Sequence, residues 1–361
     1  MNKLAEVDTL NSKVNFLLDF AVIGAGIAGL TAASEINQLG YTLAVFEKAR
    51  GTGGRLSSKR VAKPNGEFMA FDLGCVSITA ESDAFAEQLA VWYSNGVIEP
   101  WGKDDKDNDH YVAVPRNSAL TRYLSKDLEC HFSTRVTAIE DVDGIWHLFT
   151  EENTEKSQGR VLLAKAKNVI IATPPAQAQD LLPGGSAFKD QLDKVEVSPQ
   201  WVMAVEVEQL SSLPAIQYPH NDIIFSISQE DYKPGRSHGE SRGDDDHDST
   251  ILQVQATPEW TNNHLELNSD QVCNILIHEL ERHFEQSLNV VTRYAHRWLY
   301  SCVAQDIRAR ESYLWDEKGL GLIGDYIKSA GADEGDGVES AWQSGKQLAQ
   351  WITSHDSAEH S

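Results

Sequence analysis

The residues of this chain able to do chemistry gather in a few short stretches. The first is Gly24-Ala25-Gly26-Ile27-Ala28-Gly29. A glycine at the first position permits a tight turn. At the third it lets backbone approach a pyrophosphate, and at the sixth it lets a helix pack closely on a strand, while free N–H groups at the helix start meet the phosphate charge. Glu47, with Lys48 beside it, falls near the spacing at which an acid accepts hydrogen bonds from a ribose diol. The second stretch is Gly53-Gly54-Arg55, where a planar guanidinium can grip a phosphate in two places. The third is Gly324-Asp325, followed by a helix starting near Val338. Its carboxylate can hold a polyol hydroxyl, and the helix dipole would stabilise negative charge developing at N1 and O2 of an isoalloxazine. A nicotinamide cofactor has neither a ribityl chain nor such an anion, so the set favours FAD over NAD.

The elements around these residues carry the reading. Residues 16–23, FLLDFAVI, form a short apolar run suited to a buried parallel strand. Ile27, Leu30, Ala33, Ile36 and Leu39 recur at helical spacing up to a stop at Gly40, and TLAVFE at 42–47 supplies the next strand. Strand, helix and strand make a βαβ unit, and a glycine loop at its first turn reads as a dinucleotide site rather than as packing. RVTAIEDVDGIWHLFT predicts a hairpin turning at Asp143-Gly144, and residues 169–172 a buried strand ended by Pro174 and Pro175. The middle section predicts a separate sheet from WVMAVEVE, DIIFSIS and TILQVQA, with one helix, SDQVCNILIHELERHF. Residues 233–250 and 102–110 read as exposed, charged loops, with His238 and His247 better explained as solvated than as metal ligands. GLGLIGDY and VESAWQSGKQLAQWI bring a last strand and helix back to the first sheet.

The expected fold class is α/β: a discontinuous, Rossmann-like FAD-binding domain from residues 16–75, 111–185 and 310–361, plus a mixed α+β substrate domain from 76–110 and 186–309. Residues 1–15 read as a leader without the apolar core of a signal peptide. The chain has 361 residues, with 31 Lys and Arg against 54 Asp and Glu, a net charge of −23. That balance argues against nucleic acid or an anionic membrane surface as partner. No apolar run approaches the roughly 20 residues of a membrane helix. Cys75, Cys130, Cys273 and Cys302 form no CxxC pair, so neither a zinc site nor a disulfide framework is expected, no metal is assigned, and a cytoplasmic setting follows.

Taken together, IGAGIAGLTAASEI, VFEKARGTGGR, FDLG, IGDY and VESAWQSG resemble the flavin amine-oxidase superfamily. FDLGCVSITAESDAFAEQLAVWYSNGVIEPW, YVAVPRNSALTRYL, NVIIATPPAQAQDLL, PQWVMAVEVE, ATPEWTNNHL and AHRWLYS are similar to its bacterial renalase-like branch, from Leu18 to Ile352. The resemblance implies non-covalent FAD, hydride transfer to flavin N5, and reoxidation by O2 to H2O2. It implies as substrates the 2- and 6-dihydro isomers of NAD(P), returned to NAD(P)+. It places the pyrophosphate at Gly24, Ala25, Gly26, Ile27, Ala28 and Gly29, the ribose at Glu47, cofactor contacts at Lys48, Gly54 and Arg55, and adenine at the backbone of Val136. Gly324 and Asp325 fall at the pyrophosphate–ribityl segment, residues 338–342, including Val338 and Ala341, under the pyrimidine edge, and Val76 and Ser77 at the flavin edge. The sequence departs from the family at Cys75-Val76-Ser77, where a small residue, Gln and an aromatic are usual, and at Pro115-Arg116-Asn117, in place of proline-glycine-methionine.

Oxidation of a dihydropyridine needs little acid–base help, because aromatisation drives it and the cofactor accepts the hydride. No nucleophile–base constellation is evident, and no catalytic residue is assigned. His296, Arg297 and Trp298, with Tyr300 and Trp201, are the pocket candidates: Arg297 for substrate phosphates, a tryptophan for ring stacking. The competing reading makes both tryptophans core residues of the middle sheet. Two other functions stand beside the first. An oxidase of a small amine would need an aromatic pair flanking the flavin, and nothing aromatic lies between Tyr326 and Trp342. A non-catalytic FAD-binding redox module would turn nothing over, and no damaged motif points to it.

Overall fold

The computed structural model describes residues 17–103, 109–154, 157–208, 210, 213–236, 249–330 and 337–359. The leader, His238 and His247, the centre of the 102–110 loop and most of the turn before the last helix lie outside the described residues.

Contacts divide the chain into two units. The first takes Met1–Gly54, Thr121–Val195 and Gln305–Ser361, the second Arg55–Leu120 and Glu196–Ala304. Residues 55–75 and 111–120, expected with the nucleotide domain, thus group with the second unit. Their strands explain it: Ser58–Ala62 pairs with Phe68–Asp72, and Met69 and Phe71 pack against Ala204.

The first unit is built on a sheet in the order Tyr313–Trp315, Leu320–Ile323, Ser157–Ile171, Leu17–Ile23, Leu43–Phe46, Cys130–His131. From Leu320–Ile323 through Cys130–His131 each neighbour pairs parallel. Phe20, Ala21, Val22 and Ile23 are buried, as expected of a strand covered on both faces. The chain leaves Leu17–Ile23 for one neighbour through the helix Ile27–Gln38, while the other neighbour comes from far along the sequence. The strand order reverses there, and in open α/β sheets ligands bind outside the carboxyl ends of the strands at such a point. The hairpin expected at Asp143-Gly144 is present, with Val142 opposite Ile145 and both turn residues at positive φ. The strand expected at 169–172 runs instead over 15 residues, Ser157–Ile171. Its first half pairs antiparallel with Ile145–Thr154, and only its second half joins the parallel sheet. The helix Gly337–Glu359 packs on Ile27–Gln38 so closely that a Cβ at Gly345 would press into the Ala28 carbonyl. A Lys346–Glu35 ion pair at 2.6 Å lies alongside.

The second unit carries a five-stranded sheet in the order Ile216–Gln217, Ile224–Gln229, Ser249–Ala256, Glu196–Glu208, Asn289–Gln305. The expected helix is Ser269–Phe284, started by a capping box between Asn268 and Gln271. Its Val272, Cys273, Leu276 and Leu280 bury against Trp201, Met203, Val205, Val207, Leu252 and Val254. Because strand side chains alternate, this leaves Gln200, Ala204, Gln253 and Gln255 on the opposite face.

Two expected loops are corrected. Gly102, Lys103, Asp109 and His110 belong to paired strands, Ile98–Lys103 and Asp109–Ala113, and His110 is buried. At 233–236, Lys233 is almost wholly buried at 2% exposure, and Arg236 reaches into the same interior. Composition reads these charges as solvated; burial is made possible by buried acids that only the fold brings near. Among the described residues, no helix is long and apolar enough to cross a membrane, and no group of three or more His, Cys, Asp or Glu could hold a metal ion.

Candidate functional site

The glycine turn follows directly from the strand Leu17–Ile23. Gly24 has φ +110°, and a Cβ there would lie 2.6 Å from the Ala172 carbonyl, so glycine is required both by conformation and by space. A Cβ at Gly29 would press into the Gly24 carbonyl, whereas one at Gly26 meets nothing within 4 Å. Gly26 is also the N-cap of the following helix, with no side-chain capping bond and no acid in the first turn. The donors of that turn are therefore left for something else.

Glu47 closes this cradle. Its carboxylate accepts from the Ala25 N–H at 2.9 Å and from the Ala49 N–H at 2.7 Å, which fixes both oxygens while leaving each a lone pair for a ribose hydroxyl. The Gly53 N–H donates to the Ala25 carbonyl at 3.1 Å, and Gly54 lies against the Gly26 Cα, so the second glycine stretch rides on the first. Lys48 donates to Gln177 at 2.7 Å. Partial burial and the Arg135 charge lower its pKa, with Glu47 opposing. Val136 is buried, just beyond the Thr134 N–H that donates to the Glu47 carbonyl at 2.8 Å. Open space at Gly26, an uncapped helix start and an oriented carboxylate suit a dinucleotide's diphosphate and ribose. The residues present fit FAD, the group the resemblance implies.

The Gly324-Asp325 motif lies in the same unit. The Gly324 N–H donates to Ser344 Oγ at 2.9 Å, tying the strand end to the last helix. The Tyr326 hydroxyl donates to the Thr173 carbonyl at 3.1 Å, and burial, with Asp325 beside it, pushes its phenol well up. Asp325, Val338 and Ala341 are buried. The sequence reading missed Glu339, an acid in the first turn of this helix with 1% exposure. It occupies part of the dipole assigned above to a developing anion.

The other candidates sit in the second unit. Arg55 donates to the Ser301 carbonyl at 2.8 Å. Ser77 Oγ lies 2.7 Å from His110 Nδ1. Trp201 is a core residue of the sheet, its indole donating to the His264 carbonyl at 3.1 Å, with the Arg297 guanidinium 5.6 Å from its ring centroid. Trp298 packs edge-on to His296 at 4.7 Å. Lys59 donates to the Tyr294 hydroxyl at 2.9 Å. Burial, and then the Lys59 charge, lower the His296 pKa. Alternation along Asn289–Gln305 puts Tyr294, His296, Trp298 and Tyr300 on one face.

A buried charge cluster was also missed. Asp72 accepts from Ser58 Oγ and the Asn117 N–H, both at 2.9 Å, lies 3.4 Å from Lys233 Nζ, and pairs with Arg236. Glu230 pairs with Lys233 and accepts from the Asp72 N–H at 2.8 Å. Burial by itself would raise the Asp72 carboxyl, but Lys233 and Arg236 hold it below its ordinary value. Glu230 is pushed up by burial, with the Asp72 charge adding to the push. The only sequence signal was the DLG motif itself.

Residues 22–87 match the NAD(P)-binding Rossmann-like domain family. Among solved structures, the chain is similar to a protein assigned as a protoporphyrinogen oxidase from Exiguobacterium sp. 255-15 (13% identity, 92% of this chain and 98% of that one, TM-score 0.65). It is also similar to putrescine oxidase bound to putrescine (12% identity, 94% and 99%, TM-score 0.59). A third likeness is to a flavoprotein/dehydrogenase from Cytophaga hutchinsonii (14% identity, 94% and 79%, TM-score 0.51). At these identities the likeness is one of fold: mixed α/β with a Rossmann-like dinucleotide-binding domain, matching flavin-dependent amine oxidase-type folds.

Proposed function

We propose that this chain is an FAD-dependent oxidoreductase that oxidises the 2- and 6-dihydro isomers of NAD(P) to NAD(P)+. The carrying observation is the uncapped helix start at Gly26, open to space, with Glu47 fixed on the same turn. In this reading the N–H groups of residues 26–29, at the start of the helix, hold the diphosphate, because those of Gly24 and Ala25 already donate to the Phe46 carbonyl and to Glu47, with Lys48, Gly54 and Arg55 as further contacts. Glu47 holds the adenosine ribose, the Val136 backbone meets adenine, and Gly324 and Asp325 serve the ribityl–diphosphate segment. Val338 and Ala341 line the flavin, and Val76 and Ser77 offer contacts to its edge. When bound, FAD supplies the two-electron acceptor: the substrate's ring carbon gives up a hydride, leaving NAD(P)+, and O2 then takes both electrons with two protons and leaves as H2O2.

The substrate class is supported by the face carrying Lys59, Tyr294, His296 and Trp298. A cation among aromatic rings, beside an imidazole whose pKa burial lowers, suits a planar ligand with anionic phosphates. It suits an alkylammonium poorly, since the Lys59 charge repels it. The second reading, an oxidase of a small amine, is favoured by the likeness to putrescine oxidase. Against it stand Lys59 and the lack of aromatics between Tyr326 and Trp342.

Anaerobic mixing with three reductants tests the choice: borohydride-treated NAD, authentic 4-dihydro NADH and an arylalkylamine. Bleaching of the flavin band by the isomer mixture alone, with peroxide on readmitting air, is the expected result. Bleaching by the amine moves the protein to the second reading. A colourless protein that takes up no FAD refutes both.

A further inference from the structure

The turn at residues 72–75 has an unusual hydrogen-bond pattern. Its four successive carbonyls each accept from a side chain: Asp72 from Gln253 Nε2 at 2.8 Å, Leu73 from Trp298 Nε1 at 2.9 Å, Gly74 from Gln255 Nε2 at 2.8 Å, and Cys75 from Asn117 Nδ2 at 2.8 Å. Gln253 also reaches the Gly74 carbonyl at 3.2 Å. The two glutamine amides are themselves oriented, because Ser228 Oγ donates to Gln253 Oε1 at 3.3 Å and Ser226 Oγ to Gln255 Oε1 at 3.1 Å. Each amide therefore turns its NH2 towards the turn.

The amide side of the segment is different. The N–H groups of Leu73, Cys75 and Ile78 donate to Ser57, Arg55 and Tyr111 carbonyls at 2.8–2.9 Å. Those of Val76 and Ser77 donate to nothing among the described residues, and both residues are half-buried. A backbone whose carbonyls are all turned into protein presents its remaining N–H groups as donors with no intramolecular competitor.

We propose that Gln253, Gln255, Trp298 and Asn117 are positioning residues, which hold the 72–75 carbonyls so that the Val76 and Ser77 N–H groups face the acceptor edge of a planar heterocyclic ligand. The inference rests on the reading above, which supplies two sources of that chemistry: the pyrimidine edge of the flavin and the carboxamide of the nicotinamide. Fixed donors are worth more than flexible ones, since no ordering cost is met on binding.

Hydrogen–deuterium exchange on the full chain tests this, as purified, with added FAD, with NAD+ alone, and with FAD plus NAD+. The expected result is protection of the Val76 and Ser77 amides by about tenfold in one of these states. Protection by FAD identifies the flavin edge; protection appearing only with NAD+ identifies the nicotinamide. Gln255→Met keeps the stem and removes the donor. It is expected to speed exchange across 73–77 about fivefold, the loss of one ordinary hydrogen bond, and to shift the flavin absorption band while the urea midpoint holds. If Gln255→Met does not fold, Ser226→Ala, which removes only the orienting hydroxyl, is expected to act in the same direction about twofold. Exchange at Val76 and Ser77 untouched by either ligand overturns the proposal, as does a folded variant with wild-type exchange and spectrum. Failure to bind FAD overturns the flavin reading; the positioning role then stands only if NAD+ alone protects Val76 and Ser77, and falls otherwise.

Discussion

Lys233→Met removes one ammonium from the buried cluster and changes little else in shape. The Lys233 side chain has 0% exposure, Glu230 has 0% and Asp72 has 1%, so no water is available to replace the lost partner. Breaking one member out of a buried pair costs about 3–5 kcal/mol, mostly the penalty on the stranded charge. For a unit of 150–250 residues each kcal/mol moves the thermal midpoint by about 2–4 °C, so a fall of about 6–20 °C is expected. The pH dependence is sharper still. In the variant two carboxylates face Arg236 alone, and Glu230, already pushed up by burial and by Asp72, is the one to take a proton. A carboxyl raised in the folded state binds more protons folded than unfolded. Its contribution is full below the ordinary carboxylate range and is lost as pH climbs through the folded value. The destabilisation should therefore be smaller at pH 5 than at pH 8, and adding Glu230→Gln should remove the difference. Urea titrations at the two pH values, followed by the fluorescence of Trp101, whose ring centroid is 5.1 Å from Lys233 Nζ, give both numbers. A loss below about 1 kcal/mol at pH 8, or an equal loss at both pH values, would refute the reasoning.

The glycines of the cradle should separate fold from binding. Gly29→Ala, which crowds the Gly24 carbonyl, is expected to cost about 1–3 kcal/mol in a melt, while Gly26→Ala, open to space, should stay within about 0.5 kcal/mol of wild type yet bind FAD at least tenfold more weakly. Glu47→Ala should weaken FAD by about 10- to 100-fold, as expected for hydrogen bonds to a charged acceptor, measured by flavin fluorescence. Burial, with Lys59, lowers the His296 pKa from 6.5, so its imidazole should stay neutral to a lower pH than an ordinary histidine; an NMR titration with a midpoint at or above 6.5 would contradict this. On the acid side, Asp72, held below its ordinary value by Lys233 and Arg236, keeps its stabilising contribution above the ordinary carboxylate range and loses it as pH falls through its folded value. Unfolding at graded low pH should therefore be advanced in Arg236→Met.

Much of the first unit was legible locally. The apolar run at Leu17–Ile23, the helical repeat of Ile27–Gln38 and the glycine spacing each depend on neighbours in sequence, and each appears where expected. The hairpin at Asp143-Gly144 is legible for the same reason, because a dipeptide sets its own φ. Less was legible where a residue's surroundings come from afar. Lys233 and Arg236 stand in a stretch whose composition is that of a solvated loop, and nothing nearby in sequence announces Asp72. Gln253 and Gln255 alternate with apolar residues in TILQVQA, which marks a polar face but not what that face holds.

By itself, then, the sequence determined the dinucleotide cradle: strand, glycine turn, helix start and the acid at Glu47 are consequences of local conformation and short-range spacing. Only the tertiary structure decided how the 72–77 segment is held, because its partners are remote. Asp72 meets Glu230 across 158 residues, and Gly74 meets Gln255 across 181. Backbone preferences extend over a few residues, whereas the cost of burying a charge or a carbonyl is met by whatever group the fold brings within 3 Å, and that choice exists only once the chain has closed.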